Sequence, residues 1–66
     1  MIITVNGKPE EIKMRSNLAQ LILSKGLRAD NLVIEHNLRI VPRYQWQDIF
    51  LAQNDTVEIV SFVGGG

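Results

Sequence analysis

Cysteine is missing from all 66 residues, which removes disulfide staples, thiolate metal sites and cysteine nucleophiles together. An excess of either charge is missing too. Seven Lys and Arg balance seven Asp and Glu, and the basic residues are scattered, so the positive stripe that tracks a phosphate backbone is lacking and no nucleic-acid partner is expected. No apolar run approaches the roughly 20 residues of a membrane-spanning helix, and the opening MIITVNG has no positively charged leader with a cleavage site. The expectation is a soluble, cytoplasmic protein with no membrane partner. The single histidine, His36, has no second His or Cys at ligand spacing, so no metal site is expected and His36 reads as a surface turn residue. Size is scarce as well. A domain of this length buries only about 60% of the surface its unfolded chain exposes, so nearly all its large apolar residues must share one core, with little left for an enclosed active site.

What is present is ordered by period and punctuation. MIITV is rich in β-branched residues, Asn6-Gly7 is a hairpin signal, and Ile12 and Met14 restore a period of two after it. Met1, Ile3 and Val5 then face one way and meet Ile12 and Met14 across the pair, while Thr4, Lys13 and Arg15 face water. Pro9 marks the loop or the start of the returning strand. In SNLAQLILSKG the period changes: Leu18, Leu21 and Ile22 share one face of a helix of two to three turns. Asn17 or Ser16 caps it, Asn17 and Gln20 have capping-box spacing, Lys25 suits the C-terminal dipole and Gly26 supplies a left-handed stop. Such a short helix must lie across the sheet to be stable.

The run LVIEHNLRIVP reads as strand, turn and short strand, closed by Pro42. RYQWQDIFLA, with Tyr44, Trp46, Ile49, Phe50 and Leu51, reads as a 3₁₀ or helical turn followed by a loop packed on the core. Asn54-Asp55 makes a turn, and TVEIVSFV is a long final strand with Val57 and Ile59 inward and Thr56 and Glu58 outward. The order is β-β-α-β-β. Val60 and Phe62 fall on the side of Thr56 and Glu58, where polar residues are expected. Either a twist or bulge re-aims the strand, or its end is covered on both sides, or an apolar patch is exposed there for a partner. Glu10 and Glu11 read as solvation, and Arg43, Asp55 and Glu58 as surface charges or partner-orienting groups. Trp46 reads as a core or edge-covering residue.

The chain closes on Gly64-Gly65-Gly66. At an average glycine frequency of about 7%, three in a row at a chosen position arise by chance in roughly 3 to 4 of 10,000 chains. A linker or expression scar is one explanation; a working tail is the other.

These features resemble the thiamine-biosynthesis sulfur carrier family, ubiquitin-like β-grasp proteins. The resemblance rests on Asn6-Gly7 in the first hairpin, on Asn37, Val41, Pro42, Arg43 and Trp46 in the middle segment, and on Asp55, Val57, Glu58 and Ile59 approaching the last strand. The terminal pair Gly65-Gly66 completes it. Leu38 and Asn54 stand where the family pattern has glycine. Asn54 tolerates a left-handed backbone, whereas leucine would strain it, so the central turn is expected to shift by one residue onto Asn37.

The resemblance implies an α+β fold, a β-grasp with a mixed sheet covered by one main helix. It divides the chain into a domain over residues 1–63 and a flexible reactive tail over 64–66. It implies a protein co-substrate, without a catalytic side chain, whose Gly66 carboxylate is the reactive group. That carboxylate is ionised at neutral pH, with a reference pKa of about 3.3 to 3.7. The implied partners are an E1-like adenylyltransferase using MgATP, a persulfide sulfur source such as a cysteine desulfurase, and thiazole synthase. The implied product is a 1-thioglycine terminus at Gly66. Gly64 and Gly65 would extend through a narrow channel, and Val60, Phe62 and Val63 would offset the entropy of docking. Two other readings stand beside this one: a related carrier resembling the small subunit of molybdopterin synthase, and a ubiquitin-like binding module with an artificial glycine tail.

Overall fold

The computed structural model describes residues 1–62. Val63 and Gly64, Gly65 and Gly66 lie outside the described residues, and with them the expected boundary between a domain of residues 1–63 and a tail.

Five strands and one helix are observed, in the order β-β-α-β-β-β, one strand more than the expected β-β-α-β-β because the short segment after the Asn37-Leu38 turn pairs as a strand of its own. They are β1 (Ile2–Val5), β2 (Lys8–Glu11), α1 (Leu18–Ser24), β3 (Leu32–His36), β4 (Arg39–Val41) and β5 (Thr56–Ser61), with 3₁₀ turns at Ala29–Asn31 and Arg43–Asp48. The sheet order is β2-β1-β5-β3-β4. The first and last strands pair in parallel, Thr4 beside Thr56 and Val5 beside Val57. The other pairs are antiparallel. The sheet is therefore mixed, as a β-grasp requires, and its middle strand is the last one in the chain.

Alternation decides what each strand buries. Ile3, Val5, Ile34, Val41 and Val57 point to one side, where Leu18, Leu21 and Ile22 of α1 close over them, joined by Trp46 and Leu51. The helix is only seven residues long, so its ends matter. Asn17 Oδ1 accepts from Gln20 N–H at 2.8 Å and Gln20 Oε1 accepts from Asn17 N–H at 2.9 Å, a complete capping box. Gly26 takes φ 69° just beyond the last turn. Trp46 is buried and its indole N–H donates to the Val41 carbonyl at 2.9 Å, so the Arg43–Asp48 turn packs on the core as expected. Ile49 is partly buried beside it, whereas Tyr44 and Phe50 are exposed.

Three local expectations are corrected. Strand β2 stops at Glu11, and Met14 is exposed instead of meeting Ile3 and Val5. A tight turn intervenes, in which Ser16 returns both its N–H and its hydroxyl to the Lys13 carbonyl and Arg15 takes φ 66°. Glu10 is more than a solvating group: it faces the helix side opposite Ile3 and forms an ion pair with Lys25 at the end of α1. With the Lys25 and Glu10 side chains 27% and 33% exposed and their heads still reached by water, the pair contributes about 1 kcal/mol.

The third concerns the β3–β4 turn. It does not shift onto Asn37 alone. His36 pairs with Arg39, which leaves a two-residue loop, and both Asn37 (φ 50°) and Leu38 (φ 72°) are left-handed. A right-handed sheet twist selects this primed turn, and Leu38 bears a strain of about 1 to 2 kcal/mol for it. Asn54 also takes a left-handed φ of 71°, as its glycine-like position suggests.

Candidate functional site: the outlet of the last strand

The chain leaves the sheet at the end of β5, so the backbone there must be held before anything beyond it can be presented. On one side β3 does this over five consecutive pairs, from His36 with Val57 to Leu32 with Ser61. The Phe62 N–H continues the ladder by donating to the Asn31 carbonyl at 2.9 Å. On the other side β1 ends early. Its last pair is Val5 with Val57, and the Asn6 N–H donates to the Val57 carbonyl. The Asn6 side chain then takes the place of the missing strand: its Oδ1 accepts from the Ile59 N–H at 2.6 Å and its Nδ2 donates to the Ile59 carbonyl at 3.2 Å. An amide reproduces the donor and acceptor of a peptide group, which an aliphatic residue cannot do.

A matching arrangement holds the start of β5. Asn37 Oδ1 accepts from the Thr56 N–H at 2.9 Å, and the Asn37 N–H donates to the Thr56 carbonyl at 2.9 Å. Asn37 Nδ2 reaches Asp55 Oδ1 at 3.1 Å, His36 Nε2 lies 2.7 Å from Asp55 Oδ2, and the Ala52 N–H donates to the same carboxylate at 2.9 Å. Burial alone would push the Asp55 carboxyl up, but the hydrogen bonds from His36, Asn37 and Ala52, together with the electrostatic attraction of the His36 ring, outweigh it and hold it below the ordinary carboxylate value. His36 is thus half-buried and paired, where the sequence suggested a simple surface residue. Asp55 and Arg43 have intramolecular partners: Asp55 in this cluster, Arg43 on Asp30 at 3.1 Å.

Along its ladder with β3, from Val57 to Ser61, β5 runs without a bulge, so the apolar residues of its outer side are not re-aimed. Val60 and Phe62 remain 52% and 47% exposed. Of the three readings open for that stretch, the exposed patch is the one observed. Val33 lies directly across from Val60 and extends it. The patch adjoins the point where the chain continues toward Val63, Gly64, Gly65 and Gly66, which themselves fall outside the described residues. Among the described residues there is no group of three or more His, Cys, Asp or Glu side chains placed to hold a metal ion. None of the described helices is long and apolar enough to cross a membrane.

The clamping asparagines were only half visible in the sequence. Asn6-Gly7 announced a hairpin, but nothing local says that the side chain of residue 6 bonds to residue 59. The available signal is the choice of Asn as the first residue of both turns, since aspartate or glycine would satisfy the turn and lack one or both amide functions.

Comparison with known proteins agrees with this architecture. The ThiS family model matches residues 3–66. The chain is 32% identical over 66 residues to the sulfur carrier protein ThiS of Bacillus subtilis, covering 98% of this chain and all of that one. It is 30% identical over its full length to a thiazole synthase of Magnetococcus marinus, and spans only 20% of that protein. A thiazole synthase of Paramagnetospirillum magneticum gives the same picture, at 29% identity and 20% of its length. In three dimensions the chain superposes on the crystal structure of a thiamine biosynthesis protein (ThiS) from Geobacter metallireducens with a TM-score of 0.87, at 29% identity and with both chains covered completely. A mixed β-grasp sheet covered by one helix, matched over residues 3–66 by one family model and superposing on a solved ThiS structure, places the chain in the ThiS family.

Proposed function

We propose that the chain is a sulfur carrier of thiamine biosynthesis, and that its reactive group is the Gly66 carboxylate. The observation that carries this reading is the outlet of β5: a strand fixed on both sides and edged by exposed Val60 and Phe62, followed in the sequence by Val63 and Gly64-Gly65-Gly66. A free carboxylate is a poor electrophile, so it must first be activated. An E1-like adenylyltransferase brings it against MgATP; a carboxylate oxygen attacks the α-phosphorus, pyrophosphate leaves, and an acyl-adenylate results. The terminal sulfur of a protein persulfide, supplied by an enzyme such as a cysteine desulfurase, then attacks the acyl carbon and AMP departs. A thiol cleaves the resulting acyl disulfide, supplying the electron pair, and leaves the thiocarboxylate, 1-thioglycine, at residue 66.

The carrier contributes no catalytic side chain to these steps. Its folded part is the handle, Val60, Phe62 and Val63 provide docking contacts, and Gly64 and Gly65 let the acyl carbon enter a narrow site without Cβ atoms to obstruct it. The acceptor is thiazole synthase. Two thiazole synthases that carry a segment similar to this chain within their own sequences support that choice. Incubating the carrier with its adenylyltransferase, persulfide source, MgATP and cysteine should replace one oxygen by sulfur at Gly66, read by intact-protein mass and fragmentation. Deleting Gly66 should leave the fold and melting temperature unchanged and abolish the sulfur gain; thiocarboxylate formed on the shortened chain would overturn the assignment.

A further inference from the structure

The end of β5 is held differently on its two sides. Toward β3 it has a backbone ladder through Ser61, and the Phe62 N–H adds one bond to the Asn31 carbonyl. Toward β1 the ladder stops at Val57, and one residue takes over. The Asn6 N–H donates to the Val57 carbonyl at 2.9 Å, Asn6 Oδ1 accepts from the Ile59 N–H at 2.6 Å, and Asn6 Nδ2 donates to the Ile59 carbonyl at 3.2 Å. Among the described residues Asn6 is the last group to bond β5 on that side. It is exposed and is no part of the core, so it acts on β5 through hydrogen bonds and not through burial.

The turn does not require this amide. At φ 50° before Gly7 at φ 81°, glycine or aspartate would serve the backbone as well. What the amide adds is direction. A strand bonded along one edge can roll about that edge, whereas one bonded along both keeps a single heading. Seven residues lead from Ile59 to Gly66, at most about 25 Å of chain, so a swing of about 10° at Ile59 displaces the far end of such a span by up to about 4 Å. Reacting atoms must approach to about 3 to 3.5 Å in alignment, and a misplacement of about 1 Å costs on the order of a hundredfold in rate. Glycine loses more backbone freedom on ordering than any other residue, so a wrongly aimed root is not corrected downstream without cost.

We propose that Asn6 is a positioning residue for activation of the terminus: its amide fixes the heading of β5 at Ile59, so that the Gly66 carboxylate meets the α-phosphorus of ATP in line once the carrier is seated on the adenylyltransferase. The proposal rests on the carrier reading given above. Asn6 acts through Ile59 and not on the reacting atoms. Its effect therefore belongs to the chemical step inside the complex and not to the affinity of the complex.

Steady-state exchange of pyrophosphate into ATP, dependent on carrier and adenylyltransferase, separates the two. Asn6→Gly keeps a residue suited to the turn and removes both side-chain bonds; it should lower kcat about tenfold or more and change the KM for carrier by less than about twofold. Asn6→Asp keeps the turn and the acceptor for the Ile59 N–H but sets an oxygen against the Ile59 carbonyl. It should also lower kcat with KM unchanged, and it supplies the reading if the glycine variant is unfolded at the assay temperature. Ile22→Val, which trims the core under α1, lowers the melting temperature by another route and should keep wild-type kcat and KM. A folded Asn6 variant with wild-type kcat, or one whose KM rises while kcat stands, overturns the positioning role. An Ile22→Val carrier that loses kcat as the Asn6 variants do overturns it too, because stability would then explain both. A wild-type carrier that supports no exchange overturns the carrier reading itself, and this proposal with it.

Discussion

The two hairpin turns, Asn6-Gly7 and Asn37-Leu38, hold nearly the same backbone, with φ of 50° and 81° in one and 50° and 72° in the other. They begin with the same residue, and in both the asparagine amide turns inward to hydrogen-bond the backbone of β5, at Ile59 from one side and at Thr56 from the other. They differ at the second position, where the first turn has the residue that tolerates positive φ and the second has one that does not. The geometry is common to both because it is set by strand twist and register. The residue at the second position changes only how strained that geometry is. The asparagine is the part with a long-range task, and the residue after it has only a local one.

The comparison breaks most severely at Asn6. Asn6→Ala removes both side-chain bonds to Ile59 and puts alanine at a left-handed position, and should cost about 2 to 3 kcal/mol, read from denaturant unfolding. Hydrogen exchange at the Ile59 amide should accelerate more than that at Val33, across the intact β3 ladder. Equal loss at both would mean that Asn6 supports only its own turn.

The second test separates the two clamps by pH. Asp55 belongs to the Asn37 clamp only, and its folded carboxyl is held below the ordinary value of about 3.9. A depressed carboxylate stabilises the fold above its unfolded pKa, and that contribution is lost as pH falls from about 4 through the folded value. Asp55→Asn should therefore cost about 2 kcal/mol at pH 7, and the deficit should shrink progressively below pH 4. Asn6→Ala should show a deficit that does not shrink in that range. A pH-independent Asp55→Asn deficit would remove the carboxylate from the account.

The smallest effects come from exchanging the second residues. Leu38→Gly should stabilise by about 1 kcal/mol, raising the melting temperature by roughly 4 to 8 °C, since leucine there is exposed and strained. Gly7→Leu should destabilise by a similar amount. A Cβ at Gly7 would meet nothing within 4 Å, so the whole cost is backbone conformation. Unequal magnitudes would measure what the exposed Leu38 side chain adds beyond strain.

What could be read from the sequence divides along the same line as the turns. The helix with its Asn17–Gln20 capping box, the left-handed Gly26, the buried Trp46 and the inward alternation of Val57 and Ile59 all follow from periods and residue chemistry within a few positions, and all are observed. The unexpected features depend on distance. Met14 keeps the strand period and is still excluded, because the turn at Lys13–Ser16 takes the chain away from the sheet. His36 gains its partner from residue 55, and Asn6 from residue 59. The terminal glycines were legible as a motif, whereas the clamps that hold the strand leading to them have no local signature.

The last strand is also the middle strand. Until Thr56–Ser61 is in place, the molecule consists of two hairpins that share no ladder, β2 with β1 and β3 with β4. Closing the sheet therefore needs contacts between the two extremes of the chain, which is the slow kind of topology. A molecule broken off during synthesis before residue 56 has no strand ladder joining its halves. The fold thus inspects its own completeness: the domain that a partner would grip assembles only on a chain that has already been extended to the strand bearing the outlet.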